Sequence, residues 1–342
     1  MIAVGVDTHK EVHVGVAVDA LGQLLGEIVV PASEDGYREF ARWLNGFGEG
    51  VLVGIEGAGS YGAGLCEHLL GLGVRVMEVE RPRRRDRRAG KSDRVDARLA
   101  AKKVLAGERL STPRAGGARA ALQVLLVAYR SCVSERTRLL NQLQAVHVTA
   151  PVALRERIGR GNGEQLARRL AAMRARPGAS LEETTVLAVL RDLARRARTL
   201  DEQARRYERE ITELVRSLDA TLLEEPGVGP ISAGKLLACD PARFKSEVAF
   251  ARCNGTAPQS ASSGKTIRHR LSRGGDRQVN NALHTIALSR SIHHAETRAY
   301  LERKISGGHT RREAMRSLKR HPTAHRPELS RIRADAWGED VR

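Results

Sequence analysis

Large apolar residues recur with a period of two near the start of the chain. Ile2, Val4 and Val6 form one such run, and Val12, Val14, Val16 and Val18 form a second. Successive side chains of a strand point to opposite faces, so this period predicts β-strands. A third run, Leu24–Val30, ends at Pro31. The links are short, and Asp19–Gly22 has turn chemistry, so the three strands are expected to pair as an antiparallel meander. A helix at Tyr37–Leu44, a strand at Val51–Ile55, a helix at Gly64–Leu72 and a strand at Val74–Val79 are predicted next.

Three meander strands followed by alternating helix and strand is the order of a ribonuclease-H-like mixed sheet. Beyond about residue 118 the pattern turns helical. Leu122–Val148 is one predicted helix, and Gly159–Gly178 is a polar, arginine-rich interval. A longer helix then carries apolar residues at Val186, Leu190, Leu193, Ala197, Leu200, Ala204, Tyr207, Ile211, Leu214 and Leu218. That four-three spacing, with charges between, predicts a coiled coil, either between chains or folded back within one. Pro226-Gly227-Val228-Gly229-Pro230 separates Leu222–Leu223 from an apolar helix at Ile231–Cys239. Two helices joined in this way form a helix-hairpin-helix, whose Gly227 and Gly229 amides are free to approach phosphate. Past about Gly307 a basic tail with weak helical signals is expected. The fold class is thus α/β plus all-α, with expected domains at 1–112, 113–219, 220–306 and 307–342.

Charge narrows the partners. The 342 residues carry a formal net charge of +18, which calls for a polyanion. Aromatics are only 3% of residues, so stacking on bases gives way to contacts with phosphate, shape and groove. Cys66, Cys132, Cys239 and Cys253 lack metal-ligand spacing and are expected to be buried thiols of a reducing cytoplasm. No leader or membrane-crossing run is visible, which predicts a soluble cytoplasmic protein.

Carboxylates give the chemistry. Asp7 follows the first apolar run, Glu56 follows Val51–Ile55, and Asp93 and Asp96 sit three apart at the start of a predicted helix. A single Asp after a strand is ordinarily a turn or cap residue, and acidic residues favour a helix start in any case. Three placements that can converge are a different matter. Convergent carboxylates repel unless cations lie between them, which argues for Mg²⁺ or Mn²⁺. Lys10, Lys91 and Arg94 are placed to balance charge or hold phosphate. Arg81–Gly90 carries six arginines in ten residues, among them Arg83, Arg84, Arg85, Arg87 and Arg88, and leads straight into the Asp93 helix. A solvated loop explains most such runs. Beside a metal site, contact with a scissile phosphate is the better reading.

Gly5-Val6-Asp7-Thr8-His9-Lys10, Ile55-Glu56-Gly57-Ala58-Gly59-Ser60-Tyr61 and Lys91-Ser92-Asp93-Arg94-Val95-Asp96-Ala97 resemble the N-terminal motifs of the IS-one-ten family of insertion-sequence transposases. Pro226–Ala233 and Asn254–Gly275 are similar to that family's C-terminal segments, so the resemblance spans roughly residues 1 to 320. It implies a RuvC-like DEDD domain in which Asp7, Glu56, Asp93 and Asp96 bind Mg²⁺. It further implies a serine, Ser263 or the adjacent Ser262, that attacks a DNA phosphate and forms a covalent protein–DNA link. A phosphoserine ester keeps the energy of the cleaved linkage, so strands rejoin without ATP. Alone, a Ser-Ser-Gly sequence would pass for a polar loop. The basic residues Lys265, Arg268, Arg270 and Arg273 follow, placed to contact nucleic acid. The family also implies a structured guide RNA and dimers that pair into tetramers on DNA, with the heptad helix supplying the dimer contact.

The sequence departs from the family after Arg320, where Pro322 and Pro327 interrupt an expected apolar helix. Three other readings compete. A RuvC-type junction nuclease would use the carboxylates and ignore the serines. A sugar-kinase or actin-like ATPase needs a further glycine-rich phosphate loop that is not found. An architectural DNA-binding protein explains the charge but leaves the carboxylates to chance.

Overall fold

The computed structural model describes residues 1–79, 92–107, 110–113, 116–240, 244, 246–260, 269–270, 272 and 274–320. They form two compact units, one of Met1–Gly116 with Asp240–Cys253, the other of Gly117–Cys239 with residues 254–320.

The first unit runs β1 (Ala3–Thr8), β2 (Val12–Val18), β3 (Leu24–Pro31), α1 (Glu34–Asn45), β4 (Leu52–Glu56), α2 (Ala63–Gly71), β5 (Arg75–Val79), α3 (Asp93–Ala106) and β6 (Leu110–Ser111). The strands form one sheet in the order β3-β2-β1-β4-β5-β6. β1, β2 and β3 pair antiparallel as a meander, whereas β4 pairs parallel with β1 and with β5. The expected mixed sheet is therefore present. β6, antiparallel to β5, went unseen because two residues are too few to show a period.

Both faces of the sheet are covered, which is why its central strands read as unbroken apolar runs. Val4, Val6, Val53 and Ile55 pack under α1 and α2 against Phe40, Leu44, Leu65 and Leu69. On the other face Ala3, Val14, Val16 and Val18 meet Ala97, Ala100, Ala101 and Val104 of α3. The small residues of α3 let its backbone come close. A Cβ built on Gly5 would stand 2.0 Å from the Ala97 carbonyl oxygen and 2.2 Å from the Ala101 nitrogen. One built on Gly54 of β4 would stand 2.3 Å from Val104 Cγ2. Glycine at both positions sets the depth at which α3 lies on the sheet.

The second unit is built on two long helices, α4 (Ala118–Thr149) and α7 (Leu181–Asp219). They are antiparallel. Leu139 and Leu143 of α4 pack with Leu187–Ala197 at the start of α7, and Leu122 packs with Ile211 and Val215 near its end. The Arg136–Asp201 ion pair, at 3.1 Å, falls between. The predicted stripe is buried at Leu190, Leu193, Ala197, Ala204 and Ile211, so the four-three pattern is met within the chain, by α4.

α5 (Val152–Ile158) and α6 (Gly163–Leu170) lie between the long helices. The interval 159–178 is thus not simply polar. Asn162 and Gln165 form a reciprocal capping box, which starts α6, and Leu166 and Leu170 seal it onto the core. After α7 comes a single 3-10 turn, Ala220–Leu223, and then α8 (Pro230–Cys239). α9 (Glu247–Cys253) belongs to the first unit, and the short strands β7 (Gln259–Ser260) and β8 (His269–Arg270) pair antiparallel in the second. α10 (Arg277–His293), α11 (Ala295–Ser306) and α12 (Arg311–Arg320) complete it. α12 corrects the expectation of a weak tail past Gly307: Ala314 and Leu318 pack against Ala287 and Leu301. Residues 321–342, where the sequence departs from the family, lie outside the described residues.

Cys66, Cys132 and Cys239 are buried thiols, Cys253 is half-buried, and burial pushes the Cys66 thiol up to about 11. No helix among the described residues is long and apolar enough to cross a membrane.

Candidate active site

Two parallel strands and one helix deliver the acidic side chains. β1 and β4 run in register to the Val6–Ile55 pair, and Asp7 and Glu56 stand one residue beyond it. Val6 and Ile55 face α1 and α2, so the alternation turns Asp7 and Glu56 to the side of α3. Both are buried. Thr8 ties the two strand ends together, its Oγ1 donating to the Glu56 carbonyl at 2.7 Å. Gly57 turns the chain away with φ +69, in the left-handed region that suits glycine.

α3 begins at this edge. Ser92 caps it, accepting from the Val95 amide at 3.3 Å. Asp93 and Asp96 occupy its first turn, Asp93 exposed and Asp96 buried. Because Gly5 admits α3 so closely, this turn reaches Asp7. Burial raises the Asp7 carboxyl above its ordinary value; His9 pulls it back, and Asp96 and Asp93 raise it further. That repulsion records three carboxylates sharing one small region.

His9 joins them. Its Nε2 lies 3.2 Å from Asp7 Oδ2 and 3.3 Å from Asp93 Oδ1. Asp7, His9 and Asp93 together offer donor atoms within 4.8 Å of one another. Sequence reasoning quoted His9 inside its motif and gave it no role. The signal was its spacing of two from Asp7 at a strand end, which aligns the two side chains on one face. Oxygen donors of this kind fit a hard divalent cation.

The other candidates are dispersed. Lys10 is exposed in the β1–β2 turn, next to His9. Arg94 pairs with Glu27 of β3 at 3.2 Å. Gly227 has φ +79, and its Cβ would stand 3.0 Å from Arg290 Cγ and 3.2 Å from the Ile286 carbonyl, so it packs on α10. Arg290 clamps the same turn, donating to the Pro226 carbonyl at 2.7 Å and pairing with Glu225 at 2.9 Å. Gly229 faces open space, and Arg270 is exposed on β8. The turn follows a 3-10 turn rather than a regular helix. Arg83, Arg84, Arg85, Arg87, Arg88, Lys91, Ser262, Ser263, Lys265, Arg268 and Arg273 lie outside the described residues.

A family model described as a transposase, of the DEDD type named for IS110, matches residues 4–149, which hold all four carboxylates. A second, described as "Transposase IS116/IS110/IS902 family", matches residues 219–302. The chain belongs to the IS110 family of transposases. It is an enzyme that cuts and rejoins DNA, and a domain of the DEDD type depends on a divalent metal ion. Among curated proteins no sequence matches it.

Proposed function

We propose that this transposase cuts and rejoins the ends of an insertion sequence with two catalytic parts, a carboxylate centre and a serine. The reading rests on one observation: Asp7 lies buried at the end of a central strand, with Asp93 brought to it through His9. Asp7, Glu56, Asp93 and Asp96 would hold Mg²⁺ or Mn²⁺, which when bound would neutralise charge on the scissile phosphate. The serine, Ser263 or its neighbour Ser262, bonds through Oγ to phosphorus as the bond to one deoxyribose oxygen breaks. The freed sugar leaves as a hydroxyl, and an incoming hydroxyl reverses the exchange and releases the serine. Lys10, Lys91, Arg94 and the arginines of 81–88 hold the DNA or RNA backbone near the carboxylates. Lys265, Arg268, Arg270 and Arg273 do so near the serine, and the amides around Gly229 add a phosphate contact.

The net charge of +18 and scarce aromatics support a structured guide RNA beside the DNA. The family pattern further supports dimers that pair into tetramers on DNA. The α4–α7 hairpin would carry the dimer contact on its outer side, because its inner stripe is occupied. The enzyme would act in the cytoplasm, on the nucleoid.

The test uses full-length protein and DNA carrying the element ends, analysed on denaturing gels. Wild type should give a covalent protein–DNA adduct that Ser263→Ala abolishes. If neither Ser263→Ala nor Ser262→Ala alters strand exchange, the serine assignment is wrong. If wild type forms no adduct and both variants still cleave DNA while Asp7→Asn does not, the protein is a metal-dependent junction nuclease.

A further inference from the structure

His9 stands at the mouth of the carboxylate site, its side chain 46% exposed. The turn that carries it is pinned by the His9 amide, which donates to the Val12 carbonyl at 3.0 Å. This places Nε2 beside two carboxylates from different elements, Asp7 of β1 and Asp93 of α3. The separations of 3.2 and 3.3 Å are informative. Two neighbouring ligands of an octahedral ion, each bonded at roughly 2.1 Å, stand about 3.0 Å apart. Nε2 therefore sits from each oxygen at nearly the distance of adjacent ligands on one ion.

We propose that His9 is a nitrogen ligand of the divalent ion held by Asp7 and Asp93, and that it biases this site toward a first-row transition ion over Mg²⁺. The inference rests on reading the cluster as a metal centre. Its chemistry follows from the donor set. An all-oxygen set suits Mg²⁺, whereas imidazole favours ions further along the transition series, in the order Mn²⁺ then Co²⁺. An ordinary ion pair between imidazolium and two carboxylates has the same distances, and binding measurements separate the two.

Full-length protein without DNA is titrated with Mg²⁺, Mn²⁺ and Co²⁺, by calorimetry and by the visible spectrum of bound Co²⁺. Wild type should bind Co²⁺ and Mn²⁺ more tightly than Mg²⁺. His9→Ala should weaken Co²⁺ at least about tenfold, move its bands toward an oxygen-only set, and leave Mg²⁺ within about threefold. His9→Gln, which keeps the bulk of the side chain, should behave as His9→Ala does, and a native circular dichroism spectrum establishes that each variant folds. If His9→Ala leaves Co²⁺ affinity and spectrum unchanged while Asp7→Asn abolishes binding, the metal centre stands and the His9 assignment falls. If wild type binds none of the three ions, the reading of the cluster as a metal centre falls with it.

Discussion

The Cβ that Gly5 lacks would stand 2.0 Å from the carbonyl oxygen of Ala97, closer than any real contact of that kind. The candidate carboxylate site depends on this contact between β1 and α3. The same approach that excludes a methyl group at Gly5 carries Asp93 and Asp96 to Asp7.

Gly5→Ala should therefore force α3 off the sheet. Overpacking of a filled core typically costs about 1–3 kcal/mol, and here the obstruction is backbone, which cannot rotate aside. Thermal unfolding should show the loss, and metal-dependent DNA cleavage should fall with it. Gly71→Ala, in α2 with open space around the added methyl, should cost less than about 0.5 kcal/mol.

Asp7→Asn should separate fold from chemistry. The carboxyl is held above its ordinary value by burial first, with Asp96 and Asp93 adding to it, so the charged form is disfavoured in the metal-free protein. A neutral amide relieves that cost. Unfolding in the presence of a chelator should occur at the same temperature or higher, while DNA cleavage should fall more than about 100-fold, beyond what loss of an outer partner of a metal ligand costs.

His13 predicts a pH dependence. It is fully buried on β2 and stacks on Tyr37 with ring centroids 5.9 Å apart. Burial chiefly holds its pKa below 6.5, with a smaller push from His9. The unfolded imidazole then binds a proton that the folded one resists, so stability is present above about pH 6.5 and declines as pH falls toward the folded value. Denaturant midpoints at pH 8 and pH 5 should differ more for wild type than for His13→Phe. Equal differences would exclude His13 as the source.

A buried polar chain in the second unit predicts non-additivity. Lys319 of α12 donates to Asn280 Oδ1 at 2.6 Å, and Asn280 Nδ2 donates to the Asn254 carbonyl at 2.7 Å. Asn254 in turn accepts the Thr256 amide and hydroxyl, fixing the chain that leads into β7. Asn280→Ala should cost about 1–3 kcal/mol, because it leaves the buried Lys319 ammonium without this acceptor. Lys319→Met, whose lost partner Asn280 is half-buried, should cost less. The double variant should cost less than their sum, as measured by equilibrium unfolding.

Much of this was legible in the sequence where neighbouring residues decide the matter. The period of two in Ile2–Val6 and Val12–Val18 identified β1 and β2, and the four-three stripe identified α7. Asp7 and Glu56 at strand ends, and Asp93 and Asp96 three apart at a capped helix start, followed from local chemistry. Where the signal was short or polar it failed. β6 has two residues, and α6 begins with a capping box inside an arginine-rich stretch.

Local periodicity decides which side chains share a face, and the sequence by itself determined that much: a mixed sheet, a heptad helix and four acids on faces able to meet. How far apart those faces lie is set by packing between residues distant in the chain, and only the tertiary structure decided it. Gly5 and Gly54 were two small residues in apolar strands until α3 was seen against them. His9 was one residue of a motif until its ring was found between Asp7 and Asp93. The α7 stripe would have served another chain equally well, and it is α4 of its own chain that covers it.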